Sequence, residues 1–303
     1  MADSNDVYRD KLTGVFAPVT TPFDEKGNLL QDKLAANIRK LNESRLRGYL
    51  VLGTNGEFKS LTESERRSVM ETVKAASSKD KIIMVGTGRE STHKSILASR
   101  EAAYHGADFV SLLAPSFFPK RMIDPVLSAH FRAIADVSTI PVLLYNNPEV
   151  GIITLGTGLI GELSKHPNIV GMKDSSNGNF ASYLLAARPG FHLLAGSANF
   201  FLEALFMGGS GGVLSIANFA PDACCLVYEL WLDGKIEEAK QAQYELMRLN
   251  HKVSGRFGVA GVKAAMELAG LYGGPPRAPL VSLTLEEKDK LASELKDFIP
   301  FIS

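Results

Sequence analysis

A closed (β/α)8 barrel, an α/β TIM barrel with a C-terminal helical subdomain, is the architecture that this sequence predicts. Three observations lead to it. Short apolar runs recur eight times, about every 25 to 35 residues. The runs are almost continuously apolar rather than alternating, which is the pattern of parallel strands buried on both faces. Segments of helical period lie between them, so strand and helix alternate along about 230 residues, better matched to a closed barrel than to an open doubly wound sheet.

In order, the strand-like runs are Gly14 to Thr20, Gly48 to Gly53, Lys81 to Gly86, Phe109 to Pro115, Pro141 to Tyr145, Ile169 to Lys173, His192 to Gly196 and Gly212 to Ile216. The amphipathic segments are Gln31 to Ser44, Thr62 to Ser77, His93 to His105, Pro125 to Ala135, Thr157 to His166, Phe180 to Ala187 and Phe200 to Met207. Residues 1–234 form the expected barrel. Residues 235–303 carry three helix-like segments and no strand, with Gly273-Gly274-Pro275-Pro276 as a turn within them.

Composition narrows the function. A chain of 303 residues with 45% hydrophobic residues buries a large core and exceeds the usual single-domain size unless it is a barrel or carries an appendage. Net charge is +0, which leaves no electrostatic footprint for nucleic acid or an anionic membrane, and Arg66-Arg67 is too short a cluster to supply one. The longest uncharged stretch, Ala204 to Pro221, is broken by Gly208, Gly209, Gly211 and Gly212 and reads as a glycine turn, not a bilayer span. Met1 to Asp10 has neither an apolar secretory core nor the arginine-rich character of an organellar leader, so a cytoplasmic location is expected. Cys224 and Cys225 are adjacent in an apolar context and read as buried thiols.

In such barrels the chemistry sits at the C-terminal ends of the strands. Those ends bring Gly53-Thr54-Asn55-Gly56-Glu57, Tyr145-Asn146-Asn147-Pro148, Lys173-Asp174-Ser175, Gly196-Ser197 and Ser215-Ile216 to one rim. An isolated lysine after a strand is ordinarily solvated, here beside Asp174. On a rim shared with a tyrosine and a glycine-rich turn it becomes a candidate nucleophile, because an amine in an apolar wall loses the solvation that favours its protonated form. Lys173 would attack a ketone to form an imine, Tyr145 would move the proton, and Gly53-Thr54-Asn55-Gly56 would turn N–H groups, a hydroxyl and an amide toward a carboxylate. Gly196, Ser197, Ser215 and Ile216 complete the expected substrate-binding set.

These motifs resemble the glycine-rich turn, the tyrosine strand and the Schiff-base lysine strand of the dihydrodipicolinate synthase and N-acetylneuraminate lyase family, in order and over nearly the whole chain. The resemblance implies a pyruvate-dependent class I aldolase, a (β/α)8 barrel with a C-terminal helical region and a homotetramer. It makes Lys173 the imine-forming residue, Tyr145 the acid/base and Thr54 the relay hydroxyl, with Asn55, Ser197 and Gly196 lining the site. Asn55, the Gly171-Met172-Lys173-Asp174-Ser175 strand and the late segments Arg256-Phe257-Gly258 and Tyr272-Gly273-Gly274-Pro275 to Arg277-Ala278-Pro279-Leu280 are similar to the 4-hydroxy-2-oxoglutarate aldolase subgroup, which cleaves its substrate to pyruvate and glyoxylate. The 3-deoxy-hexulosonate aldolases are similar in the same places. The synthases carry an arginine shortly after the tyrosine strand, where this chain has Pro148-Glu149-Val150-Gly151, so synthase activity is disfavoured. Phe117 stands where the family commonly has a relay tyrosine lent by a neighbouring subunit. The distal substrate pocket is expected near Phe117, Phe118, Glu149 and Asn218.

Other classes fit less well. Gly156-Thr157-Gly158-Leu159-Ile160-Gly161 formally satisfies a dinucleotide fingerprint, but only Glu162 to His166 separates it from Pro167, too short for a crossover helix. The Gly208 to Gly212 loop precedes a strand rather than opening a helix, so no phosphate loop is expected. The six histidines are scattered, so no cofactor and no metal are expected, and a chelator should not abolish activity. A non-catalytic protein that binds a 2-oxo acid is the third reading. Joint retention of Lys173 and Tyr145 weighs against it, and Phe117 weighs for it.

Overall fold

The computed structural model describes residues 7–176, 178–296 and 298. Residues 1–6 of the N-terminal stretch read for a leader lie outside them. Eight strands, β1 (Gly14–Pro18), β2 (Gly48–Val51), β3 (Ile82–Gly86), β4 (Phe109–Leu113), β5 (Val142–Asn146), β6 (Ile169–Asp174), β7 (His192–Ala195) and β8 (Gly211–Val213), pair in parallel in sequence order. β8 returns to β1, with Gly14 opposite Gly211. The barrel is therefore closed, as the sequence predicts.

Two apolar layers hold it together. Phe16, Leu50, Met84, Leu143, Val170, Leu194 and Val213 fill the interior, while a larger cluster lies between the strands and the surrounding helices. Tyr8 and the buried Leu12, at the short helix Arg9–Leu12, join the inner layer and plug the N-terminal end, where the Tyr8 ring meets Phe109 edge-on at 6.0 Å. Burying these side chains contributes about 1.5–3 kcal/mol each, so the plugged end is the stable one and the opposite rim is left for loops.

Register places the site. Tyr145 of β5 pairs with Lys173 of β6 and with Leu113 of β4, which puts phenol and amine side by side at one level. The β5–β6 register shifts between Val142 and Leu143, where Val142 faces Ile169 and Leu143 faces Gly171. Simple alternation would send Val170 and Lys173 to opposite faces; the irregularity lets Val170 pack inside the barrel and Lys173 point inward as well. Gly171 is needed there, since a Cβ would lie 2.4 Å from the His192 carbonyl oxygen.

The helices Gln31–Asn42, Glu63–Ala76, Thr92–Tyr104, Asp124–Val137, Thr157–Leu163, Phe180–Ala186 and Phe201–Phe206 match the segments read from the sequence within a few residues. Thr62 starts Glu63–Ala76 with a reciprocal capping box to Glu65. An eighth barrel helix, Pro221–Leu232, is absent from that reading. Its Ala223-Cys224-Cys225-Leu226-Val227 run shows no clear stripe because it is sandwiched between the barrel and the helix Ile236–Lys252. Both cysteines are free and buried. Two further helices follow, Ser254–Leu268 and Leu285–Leu295. The first is interrupted at Gly258, whose φ of 57° is left-handed. Gln243 bonds the helix Ile236–Lys252 to the barrel, accepting from the Leu202 N–H at 3.2 Å and donating to the Ala198 carbonyl at 2.7 Å. Among the described residues no helix is long and apolar enough to cross a membrane.

Candidate active site

The glycine-rich turn follows β2. Its left-handed residues are Leu52 (φ 56°) and Glu57 (φ 50°), not the glycines, which corrects the expectation that the glycines supply the tight turn. Gly56 instead provides space, since a Cβ there would sit 3.2 Å from the Val19 carbonyl oxygen. Two non-glycine residues in this region store about 1–3 kcal/mol each, and the surrounding bonds hold them. Gly56 N–H donates to the Gly53 carbonyl at 3.1 Å and Glu57 N–H to the Thr54 carbonyl at 3.0 Å. The Thr21 hydroxyl donates to the Gly56 carbonyl at 2.7 Å.

That turn delivers Thr54 to Tyr145. Thr54 Oγ1 lies 3.2 Å from Tyr145 Oη, Lys173 Nζ donates to the same oxygen at 3.3 Å, and Asn147 Nδ2 donates at 2.8 Å. The amine also lies 4.4 Å from the centre of the Tyr145 ring. Tyr145 and Lys173 are 5% and 6% exposed, so both reactive groups are shielded from bulk water yet open to the cavity. Burial pushes the Tyr145 phenol toward a higher pKa. The Lys173 charge together with donors from Thr54, Asn147 and Lys173 outweighs it, leaving the phenol below its usual range. Such a phenol exchanges protons with an adjacent substrate more readily than a free tyrosine.

Asp174 takes no part in this cluster. It points away from the cavity, where its Oδ1 accepts from Asn146 Nδ2 at 2.8 Å, from the Ser176 hydroxyl at 2.8 Å and from the Ser176 N–H at 3.1 Å. The simple pairing of Lys173 with Asp174 is therefore absent, and Asp174 instead fastens the outer face of β5 and β6.

A cavity of about 500 Å³ opens above the lysine. Lys173, Tyr145, Thr54, Asn55, Gly196, Ser197 and Ser215 of the residues read from the sequence line it. Gly53 and Ile216 do not. Gly53 faces a small void beneath Tyr145, and Ile216 is fully buried with its carbonyl accepting from the Phe219 and Ala220 N–H groups. Asn55 is 8% exposed; Ser215 Oγ approaches its Oδ1 at 3.4 Å, while its Nδ2 has no hydrogen-bond partner among the described residues. A buried amide N–H left unpaired costs about 1–3 kcal/mol, which a bound anion would recover. Gly196 is required by close approach of the backbone, since a Cβ would lie 2.7 Å from the Asp174 carbonyl oxygen.

The distal wall departs from the expectation. Glu149 lines the cavity, but Phe117 and Phe118 are 75% and 64% exposed in the loop after β4 and pack edge-to-face on each other. Asn218 is fully buried and spends its amide on the Pro18 and Ser215 carbonyls. The wall is built instead by Asn199 and by Asn250, Ser254 and Gly255 around the end of helix Ile236–Lys252, with Asn250 Nδ2 donating to Asn199 Oδ1 at 2.9 Å. Sequence reading missed these, and it placed Asn147 on the rim without a role. The one available signal was the polar Ser254-Gly255 break between two apolar-periodic segments. The glycines of the formal dinucleotide fingerprint open the seven-residue helix Thr157–Leu163, and Gly161 lets it approach the Ala186 carbonyl. Among the described residues no group of three His, Cys, Asp or Glu side chains could hold a metal ion.

Fold and site together define a (β/α)8 protein with a shielded lysine–tyrosine pair at the C-terminal ends of its strands. Residues 11–298 match the model of the Dihydrodipicolinate synthetase family, and the chain belongs to that family. It is accordingly an enzyme of the family's lyase and aldolase kind. It is 33% identical over 301 residues, 96% of each chain, to a probable 4-hydroxy-2-oxoglutarate aldolase, mitochondrial, of Emericella nidulans. It is also 33% identical over 286 residues to a 4-hydroxy-tetrahydrodipicolinate synthase of Methanothrix thermoacetophila, covering 93% of this chain and 95% of that one. A crystal structure of YagE, a dihydrodipicolinic acid synthase family protein from E. coli K12 in complex with pyruvate, superposes with a TM-score of 0.89 at 26% identity, over 95% and 98% of the two chains.

Proposed function

We propose that this chain is a class I aldolase that cleaves a 4-hydroxy-2-oxo acid to pyruvate and an aldehyde through an imine on Lys173. The observation that carries the reading is the buried Lys173 amine 3.3 Å from the Tyr145 hydroxyl, with that hydroxyl in turn 3.2 Å from Thr54. The lysine amine adds to the substrate ketone and water leaves, giving a protonated imine. Tyr145 takes the proton of the C4 hydroxyl as the C3–C4 bond breaks; its electron pair moves into the imine to form an enamine, and the aldehyde departs. Protonation at C3 and hydrolysis then release pyruvate and regenerate the amine. Thr54 steadies the Tyr145 oxygen in both protonation states. The unpaired Asn55 amide, near Ser215, suits the carboxylate beside the ketone.

The preferred substrate is 4-hydroxy-2-oxoglutarate, which would yield pyruvate and glyoxylate, as the name of the Emericella relative suggests. A longer sugar acid is the second reading, because the distal wall presents the uncharged amides and hydroxyls of Asn199, Asn250, Ser197 and Ser254. Dihydrodipicolinate synthesis is disfavoured, since the loop after β5 offers the Glu149 carboxylate and no arginine. A panel with coupled pyruvate detection tests these readings: 4-hydroxy-2-oxoglutarate should give the highest kcat/KM, 3-deoxy-hexulosonates less, and pyruvate with aspartate semialdehyde no turnover. A reversed order moves the assignment. A homotetramer and a cytoplasmic location complete the proposal, testable by analytical ultracentrifugation and cell fractionation.

A further inference from the structure

Glu57 closes the turn that carries Thr54 and Asn55, yet its carboxylate is held from far along the chain. Lys263 Nζ lies 2.7 Å from Glu57 Oε1, with the two side chains 1% and 2% exposed. Oε1 takes no directed hydrogen bond and holds the ammonium by charge, whereas Oε2 accepts from the Arg277 N–H at 2.8 Å. Lys263 belongs to the helix Ser254–Leu268, donates to the Pro275 carbonyl at 2.9 Å and sits 4.6 Å from the centre of the Phe23 ring. The Arg277 guanidinium sits 4.2 Å from the same ring and pairs with Glu65. Phe23 is thus flanked by two cations, and Glu57 is the carboxylate that meets one of them inside the protein.

Stability alone does not account for such a pair. Desolvating two ions costs several kcal/mol each, and a well-packed neutral replacement is often equally stable. Position does account for it. Glu57 N–H bonds to the Thr54 carbonyl, and Thr54 Oγ1 touches Tyr145 Oη, so the backbone that the carboxylate anchors is two contacts from the Tyr145 oxygen. The helix that supplies Lys263 also supplies Ser254 and Gly255 to the cavity wall. We infer that Glu57 and Lys263 are positioning residues, which brace the Thr54–Asn55 turn against the C-terminal helix and so hold the proton relay in register with the substrate wall. The inference rests on the imine mechanism proposed above.

Its test needs only pyruvate. Two readouts are followed: borohydride trapping of the pyruvate adduct on Lys173, and exchange of the pyruvate methyl protons for deuterium by NMR across pH. The double variant Glu57→Gln/Lys263→Met removes both buried charges at similar volume. It should fold, keep trapping the adduct, lose about tenfold or more in exchange, as a loosened hydrogen bond to the phenolate implies, and move the Tyr145 limb of the pH profile upward. A folded double variant with wild-type exchange and an unshifted profile overturns the positioning role. If the double variant does not fold, Glu57→Asp, which keeps the charge but shortens the strut, carries the same two readouts with the same criteria. Failure of the wild-type protein to trap an adduct would instead refute the imine mechanism, so the two failures are distinguishable.

Discussion

Replacing Thr54 with valine removes a hydroxyl at nearly constant volume from the group of donors on Tyr145. In the structure that oxygen has three neighbours, Thr54 at 3.2 Å, Lys173 at 3.3 Å and Asn147 at 2.8 Å. A hydrogen bond to an ionised oxygen contributes about 1.5–3 kcal/mol, which corresponds to roughly 10- to 150-fold in rate if the bond matters only when the phenolate forms. Asn147 and Lys173 remain, and the Thr54 contact is longer than that of Asn147, so the lower end, about tenfold, is expected. The sign of the pH effect follows from the same contact. The Thr54 hydrogen bond is among the influences that lower the Tyr145 pKa, so its loss raises that pKa and shifts the ascending limb of the rate profile to higher pH. The assay is deuterium exchange into the pyruvate methyl group, followed by NMR from acid to alkaline pH, with Thr54→Ser as the conservative control. Wild-type rates and an unmoved limb in Thr54→Val would refute the assigned relay.

Tyr145→Phe should lose about 10²- to 10⁴-fold in turnover, measured by coupled pyruvate release, and an unchanged rate would remove the tyrosine from the mechanism. Glu65 is held at about pKa 2, chiefly by its hydrogen bond to Arg277, against an ordinary 4.5. Its contribution is therefore present above pH 4.5 and lost as pH falls through about 2; the shift corresponds to about 2–3 kcal/mol after allowance for partial exposure, and Glu65→Gln should flatten that part of the acid-unfolding curve. Burial pushes the Cys225 thiol up to about 12 and Cys224 well above its usual range, so native protein should resist alkylation at pH 8 while denatured protein yields two thiols by mass.

The fold was legible because burial on both faces leaves its mark on every strand: runs such as Val142-Leu143-Leu144 and Ile169-Val170 have nothing polar to hide. Sharing of one rim by Tyr145, Lys173 and the turn after β2 follows from that fold and a period of two along each strand. The inward aim of Lys173 past Gly171 was not legible, because it depends on a register irregularity between two strands and not on either strand alone. Helix Pro221–Leu232 escaped because its residues are apolar nearly all round, on the part-buried Leu226, Leu230 and Trp231 as well as on the buried Cys224, Cys225 and Val227, so no polar stripe marks its period. Asn250 and Ser254 escaped because they come from outside the repeating unit; their place in the cavity is set by how the C-terminal helices fold back over the rim. Phe117 is a different case: the resemblance draws that position from a neighbouring subunit, and within one chain both it and Phe118 are carried outward on the loop after β4.

Reduction with borohydride in the presence of pyruvate, followed by peptide mass mapping, reports directly on an imine at Lys173. A stable adduct on the peptide containing Lys173, absent from Lys173→Ala together with activity, is the predicted result. No adduct in the wild-type protein, combined with full activity in Lys173→Ala, would contradict the imine account.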